Sequence, residues 1–327
     1  MTAAPPLDEF ERIARFFAPL ATAGALGLAD DVALIDGPPG EQYVLKTDAI
    51  VEGVHFLASD PPQQVAQKLL RVNLSDLAAK GARPLGYLLT TALPKARDEA
   101  WLAAFSAGLA EDQARFGIGL LGGDSVAIDG PVMLSVAAIG RIAAGRAVLR
   151  SGARAGDRLY VTGSLGDAAL GLAVLRGERL GVDDTAAQFL GERYRLPQPR
   201  LAIGQALLGI AHAMMDVSDG LIQDLGHLAK ASGVAATVEA PSLPLSPALR
   251  QAIGHDPRHL MAALAGGDDY ELLFAAPATA APAIAALARE TGVAITAIGR
   301  MAAGSGVRVL DGAGAAMAIP VGGYRHF

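Results

Sequence analysis

Gly145-Arg146-Ala147-Val148-Leu149-Arg150-Ser151-Gly152-Ala153-Arg154-Ala155-Gly156-Asp157 divides this chain. Rich in Gly, Arg and Ser and poor in apolar side chains, it separates two halves that each alternate strand and helix patterns. Upstream, residues 32–35 and 43–47 read as short strands around a Gly-Pro-Pro-Gly turn, and 63–80 reads as a long helix entered through Pro61-Pro62. A strand at 85–92, a helix at 101–115, and strands at 119–121 and 132–141 complete that half. Downstream, strands at 158–162, 213–216, 235–239 and 271–274, and near Ile295 and Val307, are interspersed with helices at 167–176, 186–194, 200–208, 221–231 and 281–290. Ahead of both, Phe10, Ile13, Phe17 and Leu20 recur at the spacing of an amphipathic helix. The expected fold class is α/β (α+β), with an N-terminal mixed sheet and helices over 1–145 and a C-terminal α/β domain over 146–327.

Composition narrows the function classes. At 327 residues and 52% hydrophobic content, the chain can bury two cores. A net charge of −6 and the lack of any Lys/Arg run argue against nucleic acid or an anionic membrane as a partner. With no Cys, zinc-thiolate sites, disulfides and thiol nucleophiles are excluded. No Gly-x-x-x-x-Gly-Lys-Ser/Thr, Gly-x-Ser-x-Gly or Ser-x-x-Lys occurs, so neither a P-loop nor a serine nucleophile is expected. The N-terminus lacks the basic and apolar segments of a signal peptide, and Pro277 and Pro282 interrupt the longest uncharged stretch; a cytoplasmic location is expected.

Asp outnumbers Glu two to one, although Glu is the better helix former. The excess gathers at the ends of apolar runs: Asp30-Asp31, Asp48, Asp76, Gly122-Gly123-Asp124 and Asp216-Val217-Ser218-Asp219-Gly220. Such placement suits Mg²⁺, which takes oxygen ligands, keeps waters and bridges one or two carboxylates to phosphates. Carboxylates forced together without cations repel, by about 4 kcal/mol per pair at 4 Å and an effective dielectric near 20.

Each feature has a plainer local reading. Asp30-Asp31 and Gly122-Gly123-Asp124 are also turn signals, and Ser218 or Asp219 is a fitting N-cap for the helix that follows. The N–H groups of that helix start could instead receive a phosphate. Asn73 and Asp76 share one helix face, which is either a solvated stripe or, given the adjoining Leu74 and Leu77, a buried polar one. His55 has no second His at ligand spacing and reads as a surface or substrate contact.

In order along nearly the whole chain, these segments resemble the thiamine-monophosphate kinases of the aminoimidazole ribonucleotide synthetase-like ATP-binding superfamily. The motifs are Ala29-Asp30-Asp31, Lys46-Thr47-Asp48 with Val51-Glu52-Gly53-Val54-His55-Phe56, Val72 to Ala79, Gly122-Gly123-Asp124, Arg150-Ser151-Gly152-Ala153, Asp216 to Leu221, Gly266 to Leu272, and Gly322 to Phe327. The resemblance implies direct transfer of the ATP γ-phosphoryl group to thiamine monophosphate, giving thiamine diphosphate. Asp31, Thr47, Asp48, Asp76, Asp124, Asp216 and Asp219 are the implied Mg²⁺ ligands, with Asp76, Asp124 and Asp219 implied as catalytic. Gly123, Asp124, Arg150 and Ser218 are the implied ATP contacts, and His55, Asp268 and Tyr324 the implied substrate contacts. It also implies a homodimer formed through the N-terminal sheets, and makes K⁺ a candidate cofactor beside Mg²⁺.

Two positions depart from the family pattern. Lys46 stands where relatives place Ser or Thr, and Asp268 where they often carry Glu. Competing readings are an aminoimidazole ribonucleotide synthetase-like enzyme and a non-catalytic nucleotide- and metal-binding regulator. Selenophosphate synthetase-like and hydrogenase-maturation chemistry are disfavoured by the absence of Cys.

Overall fold

The computed structural model describes residue 11, residues 13–319 and residue 323. Its first half contributes β1 (Ala33–Asp36), β2 (Glu41–Val51), α1 (Pro62–Ala79), β3 (Arg83–Pro94), α2 (Glu99–Phe116), β4 (Gly119–Ile128) and β5 (Met133–Ala143). These five strands form one sheet in the order β1-β2-β5-β3-β4, in which only the β3–β4 pair is parallel.

The second half contributes β6 (Arg158–Thr162), α3 (Asp167–Leu175), α4 (Asp184–Arg195), α5 (Leu201–Ala206), β7 (Ala213–Asp216), α6 (Leu221–Ser232), β8 (Ala235–Glu239), α7 (Pro247–His255), α8 (Leu260–Ala265), β9 (Leu272–Ala276), α9 (Ala281–Thr291), β10 (Ile295–Ala302) and β11 (Val307–Leu310). Its six strands pair in the order β11-β8-β10-β6-β9-β7, with β8–β11 parallel and the other neighbours antiparallel. Both halves therefore hold a mixed sheet with helices, as the sequence leads one to expect. The helices α7 and α8 have no counterpart in the sequence reading.

Three differences from the sequence reading bear on the site. The Gly-Gly-Asp segment is no turn: β4 runs through it to Ile128. An added Cβ at Gly123 would lie 1.8 Å from the Leu89 carbonyl oxygen, so glycine here is what lets β3 and β4 close together. The polar stripe of α1 is not solvated, because Val65 to Ala79 are all buried between the first sheet and the second domain. The amphipathic start resolves into a π-helical turn, Ile13–Phe17, and a 3-10 turn, Ala18–Leu20. Its Phe17 and Leu20 are exposed, and Phe10 lies outside the described residues.

Helix α1 is the hub of the molecule. Leu69, Leu70 and Leu74 pack with Val44, Leu134 and Val136 of the first sheet, whereas Ala78 and Ala79 join Met214, Leu272 and Phe274 of the second. A helix buried on every side must partner each of its polar groups. Arg71 does so through a two-point pair with Asp112 of α2, at 2.6 and 2.9 Å, and Asn73 donates to the Leu69 carbonyl and accepts from the Asp48 N–H.

Candidate active site between the two domains

A cleft of about 460 Å³ opens where α1, β2 and the Asp30-Asp31 turn face the ends of β7 and α6. Carboxylate oxygens of Asp31, Asp76 and Asp216 lie within 4.8 Å of one another there, brought together from three segments and both domains. Asp76 reaches the cleft from α1, and Asp216 from the last residue of β7, where Ser75 donates to it at 2.5 Å. Asp48 stands beside them on β2, and Ser218, Asp219, His55, Asp268 and Arg150 also line the cavity.

Side-chain cations partly neutralise this acidity. Lys46 Nζ lies 3.1 Å from Asp48 and 3.2 Å from Asp76. Lys80, fully buried, is 2.8 Å from Asp30 and 2.7 Å from Asp31. The Arg150 guanidinium also pairs with Asp31, and its backbone N–H donates to Asp30 at 2.9 Å. Burial works to raise the Asp31 carboxyl, but the Lys80 and Arg150 charges overcome it and hold Asp31 well below the usual carboxylate range. Asp76 and Asp216 lack that compensation. Burial pushes Asp76 well up against the pull of Lys46, and burial with the nearby Asp31 charge pushes Asp216 up to about 6. The protein thus resists full ionisation of this trio unless positive charge is added.

The turn after β7 departs from the N-cap reading. The N-cap of α6 is Gly220, and no side chain of Ser218 or Asp219 caps the helix. Asp224 instead reaches back from within the helix, and its Oδ2 accepts from the N–H groups of Ser218, Asp219 and Gly220, each at 3.1 Å. The N–H groups of the turn leading into the helix are therefore taken by a carboxylate of the chain, and those of the first helical turn, Leu221 to Gln223, are not among them. Gly220, at φ +119, would place a Cβ 2.8 Å from the Ala265 backbone, so the turn is confined to glycine.

At the opposite end of the cleft, His55 Nδ1 accepts from the Val51 N–H at 3.1 Å, which assigns the neutral ring its proton on Nε2. Asp268 and Tyr270 adopt φ values of +70 and +50, and their N–H groups donate to the Ser218 and Val217 carbonyls. The intervening Asp269 turns inward to accept from Gly166 N–H at 2.6 Å, and Glu271 is held by Thr162, Arg193 and Arg200. The acid-rich Gly266 to Leu272 segment therefore alternates between cleft and core.

Gly123, Asp124 and Thr47 do not line the cleft. Thr47 points to the face of β2 opposite Lys46 and Asp48, where its hydroxyl lies 3.5 Å from that of Ser135. Ser135 pairs with Thr90, and Thr90 with Asp124 on the edge strand β4. Asp124 is three strand spacings from β2, about 14 Å. Tyr324 lies outside the described residues. Lys68, Lys80 and Asp224 were not anticipated from the sequence.

Two family models match the chain: the AIR synthase related protein N-terminal domain over residues 29–142, and the C-terminal domain of the same family over residues 154–312. They define the class as a two-domain AIR synthase-type protein. Thiamine-monophosphate kinase of Caulobacter vibrioides is 43% identical over 310 residues, covering 93% of this chain and 87% of that one. The Escherichia coli K12 enzyme of the same name is 40% identical over 322 residues, 98% of each chain. Among solved structures, thiamine-monophosphate kinase from Stenotrophomonas maltophilia K279a superposes with a TM-score of 0.78 at 42% identity, covering 89% of this chain and 93% of that one. AaThiL complexed with AMPPCP and TMP superposes with a TM-score of 0.86 at 31% identity over 100% of both chains. The chain belongs to the AIR synthase related family and, within it, to the thiamine-monophosphate kinases.

Proposed function

We propose that this protein transfers the γ-phosphoryl group of ATP to thiamine monophosphate, forming thiamine diphosphate in thiamine biosynthesis. The observation that carries the reading is the Asp31, Asp76 and Asp216 trio, closed to 4.8 Å across the cleft of a chain alike end to end to thiamine-monophosphate kinases. The donor set is all hard oxygen, and its raised Asp76 and Asp216 carboxyls call for added cations, so it fits Mg²⁺. Asp31, Asp48, Asp76, Asp216 and Asp219 are the ligands a single chain offers on the cleft. Bound Mg²⁺ supplies charge neutralisation between two phosphorylated reactants.

The chain's own groups divide the remaining work. Arg150 and Ser218 face the ATP side, and Arg150 Nε is buried with no hydrogen-bond partner among the described residues. His55, with its Nε2 proton, and Asp268 face the acceptor side. The attacking atom is a phosphate oxygen already ionised near neutral pH, so no protein base is required.

The proposal extends to a homodimer. Leu88, Val126 and Met133 are exposed on the open face of the first sheet, and β4 is an unpaired edge. Since about 14 Å separates Asp124 from β2 within one chain, Asp124 and Gly123 join the metal and ATP set by way of a second copy. We place the domain boundary at 145/146, with ATP, metal and dimer contacts in the first domain and completion of both substrate sites by the second. No helix of the described residues is long and apolar enough to cross a membrane, and the location we propose is cytoplasmic.

Incubation with ATP, Mg²⁺ and thiamine monophosphate tests the activity: thiamine diphosphate should accumulate with stoichiometric ADP. Stoichiometric ATP binding without turnover would favour the regulator reading. Mixing Asp76→Asn and Asp124→Asn subunits tests the shared site. Recovery of activity above either variant alone is expected, and no recovery despite mixed dimers would place Asp124 outside the partner's cleft.

A further inference from the structure

Lys68 is a buried cation behind the cleft wall, touching His55, Tyr194 and Asp268, which line it, and neither the metal set nor the ATP side uses it. It belongs to α1 in the first domain, and its side chain is 3% exposed. Its ammonium donates to the Asp268 carboxylate of the second domain at 3.1 Å and to the His55 carbonyl at 2.8 Å. It also stands 3.6 Å from the centroid of the Tyr194 ring, whose hydroxyl donates to the same His55 carbonyl at 3.0 Å. One ammonium thus ties together the His55 loop, helix α4 and the Asp268 turn, three segments from both domains.

This arrangement is a poor way to gain stability. Burial pushes the Lys68 ammonium down, opposed by Asp268, and replacing a buried ion pair with apolar groups is often neutral or stabilising. It is a good way to fix geometry. The Asp268 backbone sits in the left-handed region at φ +70, and its N–H is anchored to the Ser218 carbonyl at 2.7 Å. Strained, over-determined residues of this kind hold pre-organised site geometry. The backbone anchor leaves the side chain to be set, and Lys68 sets it by holding Oδ2, leaving Oδ1 as an acceptor for a ligand donor.

We propose that Lys68 is a positioning residue for the acceptor substrate, acting through Asp268 and the His55 loop to build the acceptor-side wall across the two domains. The inference rests on the reading above that puts Asp268 and His55 at the acceptor end.

Steady-state kinetics of Lys68→Met, with both substrates varied, tests it. The KM for thiamine monophosphate should rise about tenfold or more while the KM for ATP stays within about twofold. Asp268, 28% exposed, is left without its cation, so a modest fall in melting temperature is expected, and the split between the two KM values carries the test. Asp268→Asn should show the same one-sided effect, and the double variant should lose clearly less than the sum of the two single effects, as expected of a residue acting in part through another. Lys68→Gln, which keeps a donor for the His55 carbonyl, replaces Lys68→Met if that variant fails to fold. Equal rises in both KM values, or losses that add in the double variant, would overturn the proposal. If Asp268→Asn raises the acceptor KM and Lys68→Met does not, Lys68 has no positioning role and the acceptor-end assignment stands. If Asp268→Asn is itself silent, that assignment fails, and the role of Lys68 with it.

Discussion

The two sheets solve the same burial problem in different ways. In the second domain, β6, β7 and β9 are almost wholly buried, and Tyr160 stacks on Phe274 at 5.2 Å within a closed core. In the first, helices cover one face only, while β4 runs exposed along its length with Leu121 60% accessible. A sheet with both faces packed is complete within the chain; one with an apolar open face and a bare edge is where the proposed second copy would pack. The implied metal ligands follow the same division. Asp31, Asp76 and Asp216 meet inside one chain, whereas Thr47 and Asp124 lie along the open face.

The sharpest way to break this comparison is to damage the closed sheet. Phe274→Ala should destabilise the protein by about 3–5 kcal/mol in denaturant unfolding, since no neighbouring chain can compensate a cavity in that core. A loss below about 1 kcal/mol would mean the second domain is not the rigid half.

Asp76→Asn comes next. Its expected cost is about 10²- to 10³-fold in kcat, with the melting temperature within about 4 °C of wild type, because burial already disfavours the charge it removes. Near wild-type turnover would take Asp76 out of the catalytic account.

Val126→Lys probes the open face. Placing a charge among the exposed apolar residues should weaken self-association by at least about tenfold in sedimentation, about 1.4 kcal/mol, while far-UV circular dichroism stays unchanged. Unaltered mass would show that this face is not the interface.

The smallest effect is expected at Lys46→Ser. Removing an ammonium that sits 3.1 Å from Asp48 and 3.2 Å from Asp76 should let about one further Mn²⁺ bind, counted by titration of free Mn²⁺ without substrate. An unchanged count would show that Lys46 does not occupy a cation position.

Much of this was legible in the chain. Strands such as Arg158–Thr162 and Ala213–Asp216 end where periodicity places them, because a run of alternating or apolar residues closed by Gly or Asp is a local signal. Asp76 and Asp216 were legible as candidate ligands from their position beside apolar runs. Lys68 was not, although a signal existed: a helix carrying Leu, Val and Ala on every side together with Lys68, Arg71, Asn73, Asp76 and Lys80 must bury charge. Asp224 was masked by its place in an ordinary amphipathic helix, where nothing local shows that it turns back on three N–H groups.

By itself, the sequence determined the two α/β halves, the absence of nucleophile and P-loop chemistry, and the order of the acidic motifs, since each depends on residue type and short-range spacing. Only the tertiary structure decided which carboxylates share a cleft. Asp31, Asp76 and Asp216 converge because α1 is buried between two sheets, and Asp124 is set apart because β4 is the sheet's outer edge. Neighbours across a sheet or between domains are fixed by packing, and packing joins residues that no local pattern connects.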